Sequence, residues 1–168
     1  MGRFSQIDGF RFSAVAGRLE GRSPAADLGR LQDLLGPGSN EIEYEIAGSR
    51  DDMGRPALRL RVTGDLQLTC QRCLKPLAFA LRLDELLVLA KSEAEIEAEP
   101  VDPESPDRVV AGKEMDVGTL LEDEILLAIP FAPRHEECSR RDADRGEAKP
   151  SPFAELRGLL DKGGRAGN

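Results

Sequence analysis

Glu41-Ile42-Glu43-Tyr44-Glu45-Ile46 alternates a charged with an apolar side chain without a break. An extended strand, whose successive side chains point to opposite sides, turns that pattern into one apolar face and one wetted face. Ile42, Tyr44 and Ile46 are therefore expected against a core, and the three glutamates toward water. Ser49 to Arg55 reads as a polar turn containing Gly54, after which Leu58-Arg59-Leu60-Arg61-Val62 resumes the alternation. The rows Glu41/Glu43/Glu45 and Arg59/Arg61 could pair across a hairpin. Each exposed pair would add under roughly 1 kcal/mol, enough to set register more than stability. Gly64 marks a candidate bulge. Asp65 to Cys70 continues as strand, Leu74-Lys75-Pro76 interrupts, and Leu77 to Leu83 is strand again. The prediction is a bent antiparallel sheet over about residues 40–90.

Working outward, Phe10 and Phe12 alternate with Arg11 and Ser13, which predicts a strand. Ser23-Pro24 offers an N-cap and a first helical residue, Leu28, Leu31 and Leu35 follow at helical spacing, and Gly36-Pro37-Gly38 stops the helix. On the other side, residues 91–107 hold seven acids and three prolines and read as an acidic loop. Asp116 opens a helix over 117–129, with Val117, Leu120, Leu121, Ile125 and Ala128 on one face and Pro130 beyond it. Glu122-Asp123-Glu124 are expected mainly on the other, solvated face, with Glu122 and Asp123 splaying apart rather than converging. Arg140 to Ala148 is a charged linker, and Ser151-Pro152 starts a last short helix over 152–161 with Phe153, Leu156 and Leu160 on one side. The fold class is α+β, the sheet flanked by three short helices. A single domain is expected over 1–138, with the linker and a docking helix over 139–168.

The composition agrees. Of 168 residues 40% are apolar and 4% aromatic, with no Trp, so the core must be built from Leu, Ile, Val and Ala. No run approaches the ~18 apolar residues of a membrane helix, and Met1-Gly2-Arg3-Phe4-Ser5 lacks an apolar signal core. A cytoplasmic location with no membrane partner is the expectation. The net charge of −8 is uneven: +2 over residues 1–83, −11 over 84–124 and +1 over 125–168. Overall acidity argues against a general nucleic-acid coat, since phosphate binding is largely electrostatic, but leaves room for a local basic surface. The acidic stretch reads either as a solvated excursion or as a mimic of nucleic-acid charge that docks a basic partner.

Candidate chemistry centres on Cys70-Gln71-Arg72-Cys73. Two thiolates two residues apart on a tight turn can face one tetrahedral ion. Two more ligands would be needed, and His135 with Cys138 are the only other His and Cys in the chain. A Cys₃His zinc site at Cys70, Cys73, His135 and Cys138 is one reading. Small buried cysteines are another. Redox use is a third, although a thioredoxin-like pair wants a helix N-terminus where Pro76 and the following alternation predict strand. With one His and no nucleophile setting there is no Ser/His/Asp case, so no enzyme is expected. Arg72 and Lys75 flank the cysteine turn and are candidates for phosphate or partner contact. Arg59, Arg61 and Arg82 are weaker ones.

Three segments resemble a known family. Leu68-Thr69-Cys70-Gln71-Arg72-Cys73-Leu74-Lys75-Pro76-Leu77 is similar to the "ECQRCxKPF"-type element of the YceD family, the large ribosomal RNA subunit accumulation proteins. Leu121 to Pro130 with Pro133 and His135 resembles that family's acidic helix running into its "LALP…P…H" turn. Lys149-Pro150-Ser151-Pro152-Phe153-Ala154-Glu155-Leu156 resembles its "KPNPFAxL" element. Order and spacing agree over roughly residues 60–160. The resemblance implies a bacterial cytoplasmic protein that supports synthesis, processing or stability of large-subunit (23S) ribosomal RNA. Its partner would be that RNA or a ribosome-assembly protein, with no small-molecule substrate. It carries over no catalytic residue. The alternative reading is a zinc-stabilised adaptor docking a basic ribosomal or assembly protein through the acidic segment.

Overall fold

The computed structural model describes residues 4–100, 102 and 105–138. Strand β1 (Gln6–Ile7) leads into helix α1 (Gly9–Ala14), then β2 (Arg18–Pro24), two 3₁₀ turns (Ala25–Asp27 and Gly29–Leu31), β3 (Glu41–Arg50), β4 (Pro56–Thr69) and β5 (Pro76–Ala90). Helix α2 (Glu93–Glu97), β6 (Arg108–Val110), β7 (Met115–Asp116) and helix α3 (Val117–Ala128) follow. A five-stranded sheet has the order β2-β3-β4-β5-β6, antiparallel except for the β5–β6 pair, and β1 pairs with β7 in a separate ribbon. The α+β class and the antiparallel sheet over about residues 40–90 are as the alternation requires.

One sheet face carries the core. Ile42 and Ile46, then Leu58, Leu60, Val62, Leu66 and Leu68, then Leu81, Leu83 and Leu87 form a single buried cluster. Leu28 and Leu31 from the 3₁₀ turns close it on one side, and Val117, Leu121 and Ile125 of α3 on another. Most of the opposite face stays polar and holds ion pairs: Arg22 with Glu43, Arg18 and Arg61 with Glu45, and Arg59 and Arg61 with Asp84. The hairpin charge pairing thus forms for Glu45 and Arg61, while Arg59 turns to β5 instead. At its far end the core face is covered by α1, which sits against Gly48 and packs Phe10 and Phe12 on the core cluster. There Ser13 donates to the Ser49 carbonyl at 2.6 Å and accepts from the Ala57 amide at 3.3 Å.

Four local expectations are corrected. Residues 9–14 form helix rather than strand, because Asp8 caps the Arg11 amide at 2.9 Å and the aromatic pair straddles a six-residue helix laid on the sheet. Residues 24–35 form no α-helix. Ser23 and Pro24 are taken by β2 in register with Ile42 and Glu41, which leaves only 3₁₀ turns before Leu35 bridges to Leu68. Gly64 sits in unbroken register opposite Ile42 and Leu81, and it is small because a Cβ there would lie 2.6 Å from the Glu41 carbonyl oxygen. The acidic segment contains α2; Glu95 on it and Glu99 just beyond it hold Arg108 and, through Glu99, Arg55. The linker and the helix expected over 139–168 lie outside the described residues. No helix among the described residues is long and apolar enough to cross a membrane.

Candidate metal centre

The β4–β5 connection is a tight knuckle. The Cys70 amide donates to the Lys75 carbonyl at 3.0 Å and the Leu74 amide to the Cys70 carbonyl at 2.9 Å. Leu74 takes the left-handed conformation (φ 58°) that this reversal demands, with its side chain outward. Cys70 and Cys73 are buried beneath it. From the far side, the chain leaving α3 is stopped as a helix before Pro130 and crosses the knuckle. The Gln71 amide donates to the Pro133 carbonyl at 2.8 Å, which fixes the path just before His135.

The four soft ligands anticipated from spacing meet here: one donor atom each from Cys70, Cys73, His135 and Cys138 lies within 4.8 Å of every other. The Cys70 and Cys138 sulfurs are 3.9 Å apart, and Cys73 Sγ is 3.5 Å from His135 Nδ1. A tetrahedral ion with arms of roughly 2.3 Å to sulfur needs sulfur–sulfur edges of about 3.8 Å. The donor set and its spacing therefore fit a single zinc-like ion. His135 Nε2 lies 3.0 Å from the Pro76 carbonyl, an acceptor, so Nε2 carries the proton and Nδ1 turns its lone pair toward Cys73.

The thiols are not equivalent. Burial pushes the Cys70 thiol up. The backbone N–H groups of Cys73, Arg72 and His135 and the Cys73 thiol more than offset this and bring it down to about 5. Burial raises Cys138, as do the neighbouring Cys70 and Cys73. Negative charge thus collects at one point with amide dipoles as its main support, and a cation there would complete it.

Arg72 and Lys75 stand exposed on the knuckle and form no ion pair among the described residues. Arg134, which sequence reasoning passed over, joins them: a groove of about 300 Å³ beside the knuckle is lined by Gln71, Arg72, Ala132 and Arg134. Its position just before His135 was the available signal. Of the other candidate arginines, Arg59 and Arg61 separate from this group, engaged by Asp84 on the polar sheet face. Glu122 and Asp123 do not splay apart as adjacent helix carboxylates should. Both converge on Arg30, whose guanidinium reaches each at 2.6 Å, and they tie the second 3₁₀ turn to α3. Glu124, expected among solvated residues, is buried against the sheet.

Sheet, knuckle and crossing segment together define a small α+β protein whose distinctive site is a Cys₃His knuckle close enough to hold one metal ion. The family model described as "Large ribosomal RNA subunit accumulation protein YceD" matches residues 58–160, well over half of the chain, and the chain belongs to that family. The match spans both halves of the knuckle. Membership supports a role in accumulation of large-subunit ribosomal RNA. No solved structure matches the chain.

Proposed function

We propose that this protein is a non-enzymatic, cytoplasmic ribosome-biogenesis factor that supports synthesis, processing or stability of 23S ribosomal RNA by contacting RNA with its knuckle face. The observation that carries the reading is the grouping of Arg72, Lys75 and Arg134, exposed and without carboxylate partners among the described residues, around the knuckle of an otherwise acidic chain. One structural zinc held by Cys70, Cys73, His135 and Cys138 would lock the crossing segment onto the hairpin and so hold the three cations in a fixed relation. Cations placed this way contact phosphates and position an RNA. They carry no base readout of their own.

The test is rescue of a strain lacking the gene. The native chain is expected to restore the ratio of large- to small-subunit ribosomal RNA, while Arg72→Glu with Lys75→Glu folds, retains metal and fails to do so. Equal rescue by the charge-reversed chain would refute the contact. A second reading, a zinc-stabilised adaptor docking a basic ribosomal or assembly protein through its acidic segment, draws on the net −11 of residues 84–124. The segment's own Glu95 and Glu99 already hold cations of this chain. An adaptor would therefore use other carboxylates of the segment.

A further inference from the structure

Among the described residues, five carboxylates between 84 and 124 meet a cation of this chain: Asp84 takes Arg59 and Arg61, Glu95 and Glu99 take Arg108, and Glu122 and Asp123 take Arg30. Glu124 does not. It projects from the core-facing side of α3 between Leu121 and Ile125, is only 6% exposed, and has no hydrogen bond or ion pair among the described residues. Glu85 on β5, Asp107 just before β6, and Asp123 on its own helix all face it with like charge. Glu85 and Asp107 are exposed and form the rim. Arg108, the nearest cation in sequence, is directed to α2 instead.

A buried carboxylate is normally paired, because removal from water costs several kcal/mol and a lone charge has nothing to offset that cost. Here the surroundings make ionisation worse. Burial, then Asp107, Glu85 and Asp123, push the Glu124 carboxyl up to about 7. A metal ion is not the natural occupant: among the described residues the only potential ligands that converge closely enough are those of the knuckle. Carboxylates set farther apart suit a cation that carries several donors over several ångströms, which a guanidinium does and a bare ion does not.

We propose that the seam between α3, β5 and β6 is a receptor for an arginine side chain of a basic protein partner, with Glu124 as the buried anchor and Glu85 and Asp107 as the rim. The charge that the chain leaves unpaired at this seam complements the arginine-rich segments of proteins that themselves bind RNA. The receptor involves none of Arg72, Lys75 and Arg134, so it stands or falls separately from the RNA contact.

The test uses the full chain and a dodecapeptide of alternating arginine and glycine, titrated calorimetrically at neutral pH and low salt. Truncating one partner of a buried charge pair is costly, so Glu124→Gln is expected to weaken binding at least ~10-fold. Glu93→Gln, an exposed carboxylate on α2, is expected to change it less than about 2-fold. The double variant Glu85→Gln, Asp107→Asn, altered only at exposed positions, is expected to fall between the two and covers the case in which Glu124→Gln does not fold. Carbon-13 NMR of the Glu124 carboxyl should show it titrating near neutrality in the free chain and lower with peptide. Native affinity retained by both Glu124→Gln and the double variant, or no binding by the native chain, would overturn the proposal. So would a Glu124 carboxyl that titrates as an ordinary carboxylate in the free chain, because the chain's own basic residues would then fill the seam.

Discussion

Glu124 shows how much a single position can weigh on stability. Its carboxyl titrates at about 7 in the folded chain against an ordinary 4.5. Below about 4.5 both folded and unfolded chains hold the proton and there is no penalty. As pH rises toward 7 the unfolded chain releases its proton first, so stability falls, and above 7 the loss is complete. The shift corresponds to roughly 3 kcal/mol, and solvent screening of the carboxyl reduces the loss to about 2 kcal/mol. Glu124→Gln should therefore match the native chain near pH 5 and exceed it at pH 8 by about that amount. Denaturant midpoints of the two chains at both pH values check this, since other titrating groups cancel in the difference. A constant gap across the range would contradict it. The residue was partly legible in the sequence: it lies three after Leu121 and four after Leu120, on the helix face that Val117 and Ile125 share. A run of three acids drew the reading to the solvated face, and only α3's seat on the sheet shows that one of them turns inward.

Among the elements, the long strands β3, β4 and β5 were readable, while the short helices and the remaining strands were not. Long alternation in β3, β4 and β5 encodes which side faces the core, and a one-residue slip would invert every side chain, so sequence and register are tightly linked. In six residues of α1 the helical period barely completes itself, and Phe10 and Phe12 mimic strand alternation. Ser23-Pro24 has the chemistry of a helix start, yet pairing with Ile42 and Glu41 wins because an edge strand tolerates Pro. The knuckle was legible because spacing alone fixes two thiols on a turn. Its cationic setting was legible only in part, since Arg134 comes from the far side of the fold. How closely α1 sits on the sheet is set by Gly48, where a Cβ would lie 2.2 Å from the Phe12 carbonyl oxygen and 3.0 Å from the Gly17 amide. Gly48→Ala must lift α1 and is expected to destabilise by roughly 1–3 kcal/mol, read from the urea midpoint. An unchanged midpoint would mean that α1 is not held there.

For the molecule as a whole, the knuckle joins parts of the chain 62 and 68 residues apart. A chelator that strips the metal should lower the melting temperature of the native chain by several degrees and leave Cys70→Ser, which lacks a full ligand set, unmoved. Metal analysis should give one zinc per native chain. Equal response of both chains to the chelator would rule out a bound ion that supports the fold. That long separation also orders events during synthesis. Cys70 and Cys73 leave the ribosome early, and the β4–β5 hairpin can close around them while His135 and Cys138 are still unmade. A chain released before Cys138 keeps a hairpin with two sulfurs and no way to complete a tetrahedron. Capture of an ion by all four ligands would thus report that translation has passed residue 138, so that the knuckle could close only late in the chain's own synthesis.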